Sequence, residues 1–272
     1  MRYLILILIL FCNTLLHSQW VQQNSGSSQL ICVSAPNDTV VWASGAYTGA
    51  GGGSIVLRTT NGGIKWEQVA ILNTYPGAGA VIAGIDENTA VLCYDTTAYR
   101  TTNGGLNWDV VLTQRSGFFN AIDIQPNGYG IIQGDPVNAK WSIWKTTNYG
   151  INWTKINTLN AWNTDASSFN SLYIRGQTIY FCGIGGKIFF SSNSGSNWTQ
   201  QSVSLSWPIA IWFNNDSVGM VGSGLGKTTN GGVNWTTQSA PGSGTIRGIA
   251  GYGENWWYVR RYKTIHRSTN NG

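Results

Sequence analysis

One nine-residue phrase recurs five times along this 272-residue chain: RTTNGGIKW (Arg58 to Trp66), RTTNGGLNW (Arg100 to Trp108), KTTNYGINW (Lys145 to Trp153), FSSNSGSNW (Phe190 to Trp198) and KTTNGGVNW (Lys227 to Trp235). A sixth copy, RSTNNG, runs from Arg267 to Gly272. The tryptophans are spaced by 42, 45, 45 and 37 residues. A unit of that length is one supersecondary element that cannot bury its apolar faces alone, so the repeats have to pack on one another.

Within a repeat the pattern resolves into four short strands. In the second they are Val81 to Ile85, a polar turn Asp86 to Asn88, Thr89 to Cys93, then Ala98 to Arg100 running into the phrase, and Trp108 to Leu112 leaving it. Turns at Pro36, Pro126, Arg175, Asn214 and Gly253 occupy the corresponding places in the other repeats. Four antiparallel strands per unit, repeated around an axis, make a β-propeller. Composition agrees with this all-β reading: 35 glycines and 14 tryptophans supply turns and large apolar rings, and no stretch shows a helical hydrophobic period.

The phrase itself has a physical task. A Ser or Thr hydroxyl and an Asn side chain three to four positions later can bond each other's backbone and hold a tight hairpin. Its second glycine (Gly63, Gly105, Gly150, Gly195, Gly232) is the same in all five copies, as a positive φ would require. The tryptophans Trp66, Trp108, Trp153, Trp198 and Trp235 start the outer strand and insert an indole between sheets. The phrase resembles the Asp box, or bacterial neuraminidase repeat, with Asn61, Asn103, Asn148, Asn193 and Asn230 where that family often has aspartate. Asparagine keeps the hydrogen bonds without the charge, which favours a structural loop over a metal site. The Arg or Lys opening five of the six copies (Arg58, Arg100, Lys145, Lys227, Arg267) keeps one register and reads as structural with a solvated head.

Trp20 to Gln23 (WVQQ) matches the strands that follow the phrase, and the sixth phrase lacks such a strand. Joined, they complete a sixth blade and seal the ring without an exposed edge; seven or more blades follow if the chain is a fragment. Residues 1–18, with Arg2, an apolar run from Tyr3 to Cys12 and an exit at Ser18, read as a secretory signal peptide, leaving 19–272 as one propeller domain. The expected product is exported, secreted or at the cell surface, with no membrane-spanning segment. Of the cysteines left after Cys12, Cys93 and Cys182 fall at one register of separate repeats, so they and Cys32 are expected as small buried thiols, not disulfides.

Tandem TTNGGxxW units resemble the photosystem II stability and assembly factor family of propellers and the propeller units of exported adhesin-like bacterial proteins. That resemblance implies a binding or assembly scaffold. Sialidases, xyloglucanases and sorting receptors share the repeat, so it speaks for fold more than for function. Sialidase chemistry needs a Tyr-Glu nucleophile pair and an arginine cluster. The chain has three glutamates, with Glu87 and Glu254 on turns and Glu67 on an outer strand, and it lacks the Arg-Ile-Pro phrase of sialidases. Past the signal, His266 is the only histidine, leaving a catalytic triad or a histidine metal site without parts. No cofactor is expected. The formal charge of +5, +4 without Arg2, shows no basic cluster and argues against a nucleic-acid partner.

Two candidate sets share the propeller end opposite the phrase hairpins. Asp95, Asp135 and Asp165 fall there on successive blades, and two of them in one pocket would suit a glycoside hydrolase, the alternative function. Tyr47, Tyr75, Tyr94, Phe118, Trp141, Trp162 and Trp207 fall in or beside the same loops, as aromatic faces for a protein or carbohydrate ligand or as caps on the blade edges. The favoured reading is a non-catalytic scaffold binding its ligand on that end.

Overall fold

The protein is described by a computed structural model covering residues 29–46, 53–72, 80–162, 164–261, 264–270 and 272. Its 23 strands form six antiparallel sheets in which every strand pairs with its neighbour in sequence. Blade 1 holds β1 (Gln29–Ser34), β2 (Val41–Ala46), β3 (Ser54–Thr59) and β4 (Glu67–Leu72). Blade 2 holds β5 (Ala80–Gly84), β6 (Ala90–Tyr94), β7 (Thr97–Thr101) and β8 (Asp109–Thr113). In blade 3 are β9 (Phe119–Ile124), β10 (Gly130–Val137), β11 (Lys140–Thr146) and β12 (Thr154–Ile156). Blade 4 comprises β13 (Leu172–Arg175), β14 (Thr178–Gly183), β15 (Lys187–Ser191) and β16 (Thr199–Ser202). Blade 5 comprises β17 (Ile211–Phe213), β18 (Gly219–Gly222), β19 (Leu225–Thr228) and β20 (Thr236–Thr237). Blade 6 has three strands among the described residues: β21 (Ile246–Tyr252), β22 (Asn255–Arg260) and β23 (Ile265–Ser268). This is the six-bladed propeller expected from the repeat, with strand bounds displaced by about one residue from the sequence reading. The proposed closing strand Trp20 to Gln23 and the signal segment lie outside the described residues.

A blade is covered on both faces, which is why the inner strands are apolar runs instead of alternating ones. In blade 2 every residue of β5 and β6 is buried, whereas the outer β8 is half exposed. The five gaps from blade 1 through blade 6 are each filled by one cluster. Trp42, Ile82 and Leu92 join blades 1 and 2; Val91, Phe119 and Ile132 join blades 2 and 3. Trp141, Ile179 and Phe181 join blades 3 and 4; Tyr180, Phe213 and Val221 join blades 4 and 5. Met220, Ile246 and Trp256 join blades 5 and 6. The three described cysteines are free, with Cys93 and Cys182 buried in different gaps.

The phrase hairpins are built alike, and more tightly than the sequence suggested. The hydroxyl and the asparagine are two residues apart and touch directly: Thr101 Oγ1 donates to Asn103 Oδ1 at 3.1 Å. The same hydroxyl accepts from Gly105 N at 3.0 Å, and Asn103 Oδ1 accepts from Asn107 N at 3.0 Å. Blades 1, 3, 4 and 5 repeat the set through Asn61, Asn148, Asn193 and Asn230. The indole of Trp108 returns to the Gly105 carbonyl at 3.1 Å and meets Trp42 edge-on at 6.3 Å. Trp153 and Trp198 make the same return bond. An Asn103→Asp variant keeps both acceptor contacts, so its unfolding free energy is expected within about 0.5 kcal/mol of the parent. Asn103→Ala leaves the Thr101 hydroxyl and the Asn107 N–H without that acceptor and is expected to cost about 1–2 kcal/mol in urea unfolding.

The basic residue that opens the phrase ties its blade to the next. Arg58 donates to the Glu87 carbonyl at 2.7 Å, Arg100 to that of Tyr149 at 3.0 Å, and Lys227 to that of Gly272 at 3.1 Å. These contacts give three of the five cations, Arg58, Arg100 and Lys227, a structural task at that register.

Candidate functional site

The phrase hairpins and the turns between first and second strands occupy one end of the propeller, the hairpin end. The connections between blades and the turns between second and third strands occupy the other, the loop end. On the loop end the connection from β12 to β13, residues 157–171, dominates by its length.

That connection is held along its course by backbone and side-chain groups of the blades. Trp141 N donates to Leu159 O at 3.2 Å and Ala161 N to Ala139 O at 3.0 Å. Asp165 Oδ2 accepts from Trp162 N at 2.9 Å, closing a tight loop, while its other oxygen is bonded by Lys187 Nζ of blade 4. Asp135 Oδ1 accepts from Ser167 N at 3.0 Å and from Asn120 Nδ2 at 2.7 Å. Gln133 Nε2 donates to Ser167 Oγ at 2.8 Å. Asn170 bonds the carbonyls of Asn120 and Ile31, so the lead-in to blade 4 touches both blade 3 and blade 1. Burial raises the Asp135 carboxyl above its ordinary pKa, opposed by the Ser167 N–H and the Asn120 amide.

Pinned in this way, the loop end presents large rings to solvent. Trp162 is 76% exposed, Phe118 52%, Trp207 51% and Phe169 41%. They are linked through the same network: the Phe118 carbonyl accepts from Asp135 N at 2.9 Å, and Trp207 Nε1 donates to Ser168 Oγ at 2.6 Å. Four exposed aromatics on one pinned surface are an unusual exposure for residues this large, and such surfaces mark interaction sites.

The other sequence candidates are placed differently. Trp141 is fully buried, packed against Phe181 and Phe189 at ring distances of 4.9 and 5.1 Å, and offers no face to a ligand. Tyr94 closes the blade 1 to blade 2 core at 3% exposure. Tyr47 and Tyr75 lie outside the described residues. Asp95 sits in the β6 to β7 turn with φ 52°, its carbonyl accepting from Phe119 N at 2.8 Å. None of the three aspartates lines the groove that opens on the hairpin end. Phe169, Asn120 and Ser167 were not singled out in the sequence, because a short S-S-F-N stretch carries no periodic signal.

Charge is less evenly spread than composition suggests. Arg247, Arg260, Arg261, Lys263 and Arg267 fall in the last repeat against Glu254 alone. Arg260 is engaged with the carbonyls of Pro241, Ala240 and Gly244, and Arg267 with Asn255 and the Trp257 ring.

Fold and repeat define the class: a six-bladed β-propeller built on repeats of the bacterial neuraminidase type. Within that class the chain resembles the assembly-factor propellers, since residues 21–133 match the family described as photosynthesis system II assembly factor YCF48. No curated protein matches the chain. Among solved structures, YCF48 bound to D1 peptide superposes with a TM-score of 0.62 at 17% identity, over 92% of this chain and 94% of that one. YCF48 from Cyanidioschyzon merolae gives 0.59 at 16%, over 85% and 79%. AFV00434, an ancestral GH74 enzyme, gives 0.64 at 17%, over 92% of this chain and 38% of the enzyme. At these identities the superpositions speak for the fold.

Proposed function

We propose that this chain is a non-catalytic binding scaffold, exported from the cell, whose loop end takes up a segment of a partner protein. The observation that carries the reading is the exposed set Trp162 and Phe169 on the 157–171 connection, which hydrogen bonds from three blades hold, with Phe118 and Trp207 on the neighbouring connections. The rings are presented on a prepared surface, so little ordering opposes association. The family match adds support, because a YCF48 propeller has been solved with a peptide bound. The aspartates point the same way: Asp135 and Asp165 hold the connection in place, an occupation that suits positioning better than proton transfer in glycoside hydrolysis.

The test is a peptide and glycan array probed with the purified chain, followed by titration of the best ligand. Trp162→Ala with Trp207→Ala is expected to weaken binding by tenfold or more while shifting the unfolding midpoint little, since both rings are largely in water. Unchanged affinity in the double variant, or turnover of an arrayed glycan, would overturn the reading.

A further inference from the structure

A groove of about 600 Å³ lies on the hairpin end beside the first three blades, away from the loop-end aromatic rings. Its walls are the turns at Pro36, Asp86 and Pro126, and Tyr149 closes one side with its hydroxyl on the Pro126 carbonyl at 2.9 Å. Three charged residues line it: Asp86, Arg100 and Asp123. The chain as a whole carries a formal charge of +5, so two carboxylates against one guanidinium make this a locally negative place on a positive molecule.

Asp123, on the inner strand β9, accepts from the backbone N–H groups of Ile124 and Ile174, and no cation pairs with it among the described residues. Asp86 uses one oxygen to accept from Asn88 N and Thr89 N, each at 2.7 Å. Arg100 uses Nε on the Tyr149 carbonyl, and its two terminal nitrogens have no acceptor among the described residues. A half-buried carboxylate without a counter-charge is a place where a ligand cation gains. The Arg100 guanidinium, lining the same groove, is a donor pair for a peptide carbonyl.

We propose that this groove is a second binding site, for an extended peptide segment that sends a lysine or arginine side chain to Asp123 and receives hydrogen bonds from Arg100 at a backbone carbonyl. The site uses none of the loop-end aromatics and stands or falls apart from them.

Burial pushes the Asp123 carboxyl up to about 6. The ligand cation favours the ionised form, so binding is at full strength above that value and is lost as pH falls through it. The groups facing Asp123 from its surroundings are Cys32 on β1, Tyr173 on β13, and Arg100 and Asp86 in the groove. Cys32, pushed to about 11, and Tyr173, raised above its ordinary value, stay neutral across the range concerned.

The experiment is titration of the full chain with Ac-Gly-Arg-Gly-NH2, followed by NMR at pH 7.5 and pH 5. We expect saturable binding that is about tenfold weaker at pH 5, lost in Asp123→Asn, unaffected by Trp162→Ala with Trp207→Ala, and absent for Ac-Gly-Glu-Gly-NH2. Equal binding by Asp123→Asn, indifference to pH, preference for the acidic peptide or no saturable binding would overturn it. Agmatine binding as tightly as the peptide would overturn the part given to Arg100. Should Asp123→Asn fail to fold, the carboxyl carbon of Asp123 in the parent protein decides: its midpoint falls by about two pH units under saturating peptide, or the proposal is wrong.

Discussion

Trp141→Ala is expected to lower the unfolding free energy by about 3–5 kcal/mol. The indole sits at 0% exposure between blades 3 and 4, among Ile131, Ile143, Ile179, Phe181 and Phe189. Truncation removes two edge-on ring contacts, at 4.9 and 5.1 Å, each worth about 0.5–1.5 kcal/mol beyond the area buried, and leaves a hole that strands on both sides are too regular to close. One contribution runs the other way. The buried indole N–H has no acceptor, so losing it relieves a desolvated donor. Trp141→Phe, which drops that donor and keeps an aromatic ring, is therefore expected to cost well under half as much. Urea unfolding followed by far-ultraviolet circular dichroism reads both. A loss below about 1 kcal/mol for the alanine variant would mean that the blade 3 to blade 4 gap is not packed as described. The backbone of the same residue bonds Leu159, so the alanine variant is also expected to loosen the loop-end connection and weaken ligand binding there.

Gly105→Ala is expected to cost about 2–4 kcal/mol, more than its chemistry as one added methyl suggests. Two effects combine. The backbone at Gly105 has φ 91°, outside the region an alanine adopts without strain. A Cβ there would also stand 2.8 Å from the Val69 side chain on the outer strand of the preceding blade. The neighbouring Gly104 position makes a control within the same hairpin, because its counterparts in blades 3 and 4 are Tyr149 and Ser194, which hold φ 57° and 56° without glycine. Gly104→Asn is accordingly expected to cost less than Gly105→Ala, although Arg58 has to move aside from the added side chain. Equal losses at the two positions, measured by thermal or urea unfolding, would contradict this division of the hairpin.

Much of the fold was legible because the repeat is a strong signal for a weakly varied physical problem. Each blade needs a hairpin closed by hydroxyl and asparagine, a glycine where the preceding blade comes close, and an indole to wedge the gap, and these residues return at a fixed register. The reading of the site fared unevenly for the same reason. Trp162 and Trp207 stand on nonrepeating connections among polar neighbours and are exposed. Trp141 has similar neighbours in sequence yet lies at the second position of β11, where alternate side chains enter the gap between blades. A shift of one residue in strand register decides whether an aromatic faces water or core, and spacing alone did not supply it. Asp135 and Asp165 likewise read as loop carboxylates. Only the folded chain shows that their partners, Ser167 N, Asn120 and Lys187, arrive from other strands and connections.

By itself the sequence determined the kind of blade and left six or more of them open, since a hairpin of serine or threonine, asparagine and glycine is a local structure whose hydrogen bonds close within eight residues. Tertiary structure decided which surface is free to bind: the aromatic loop end and the charged groove are made by residues from several blades, brought together by packing between sheets and not by proximity along the chain.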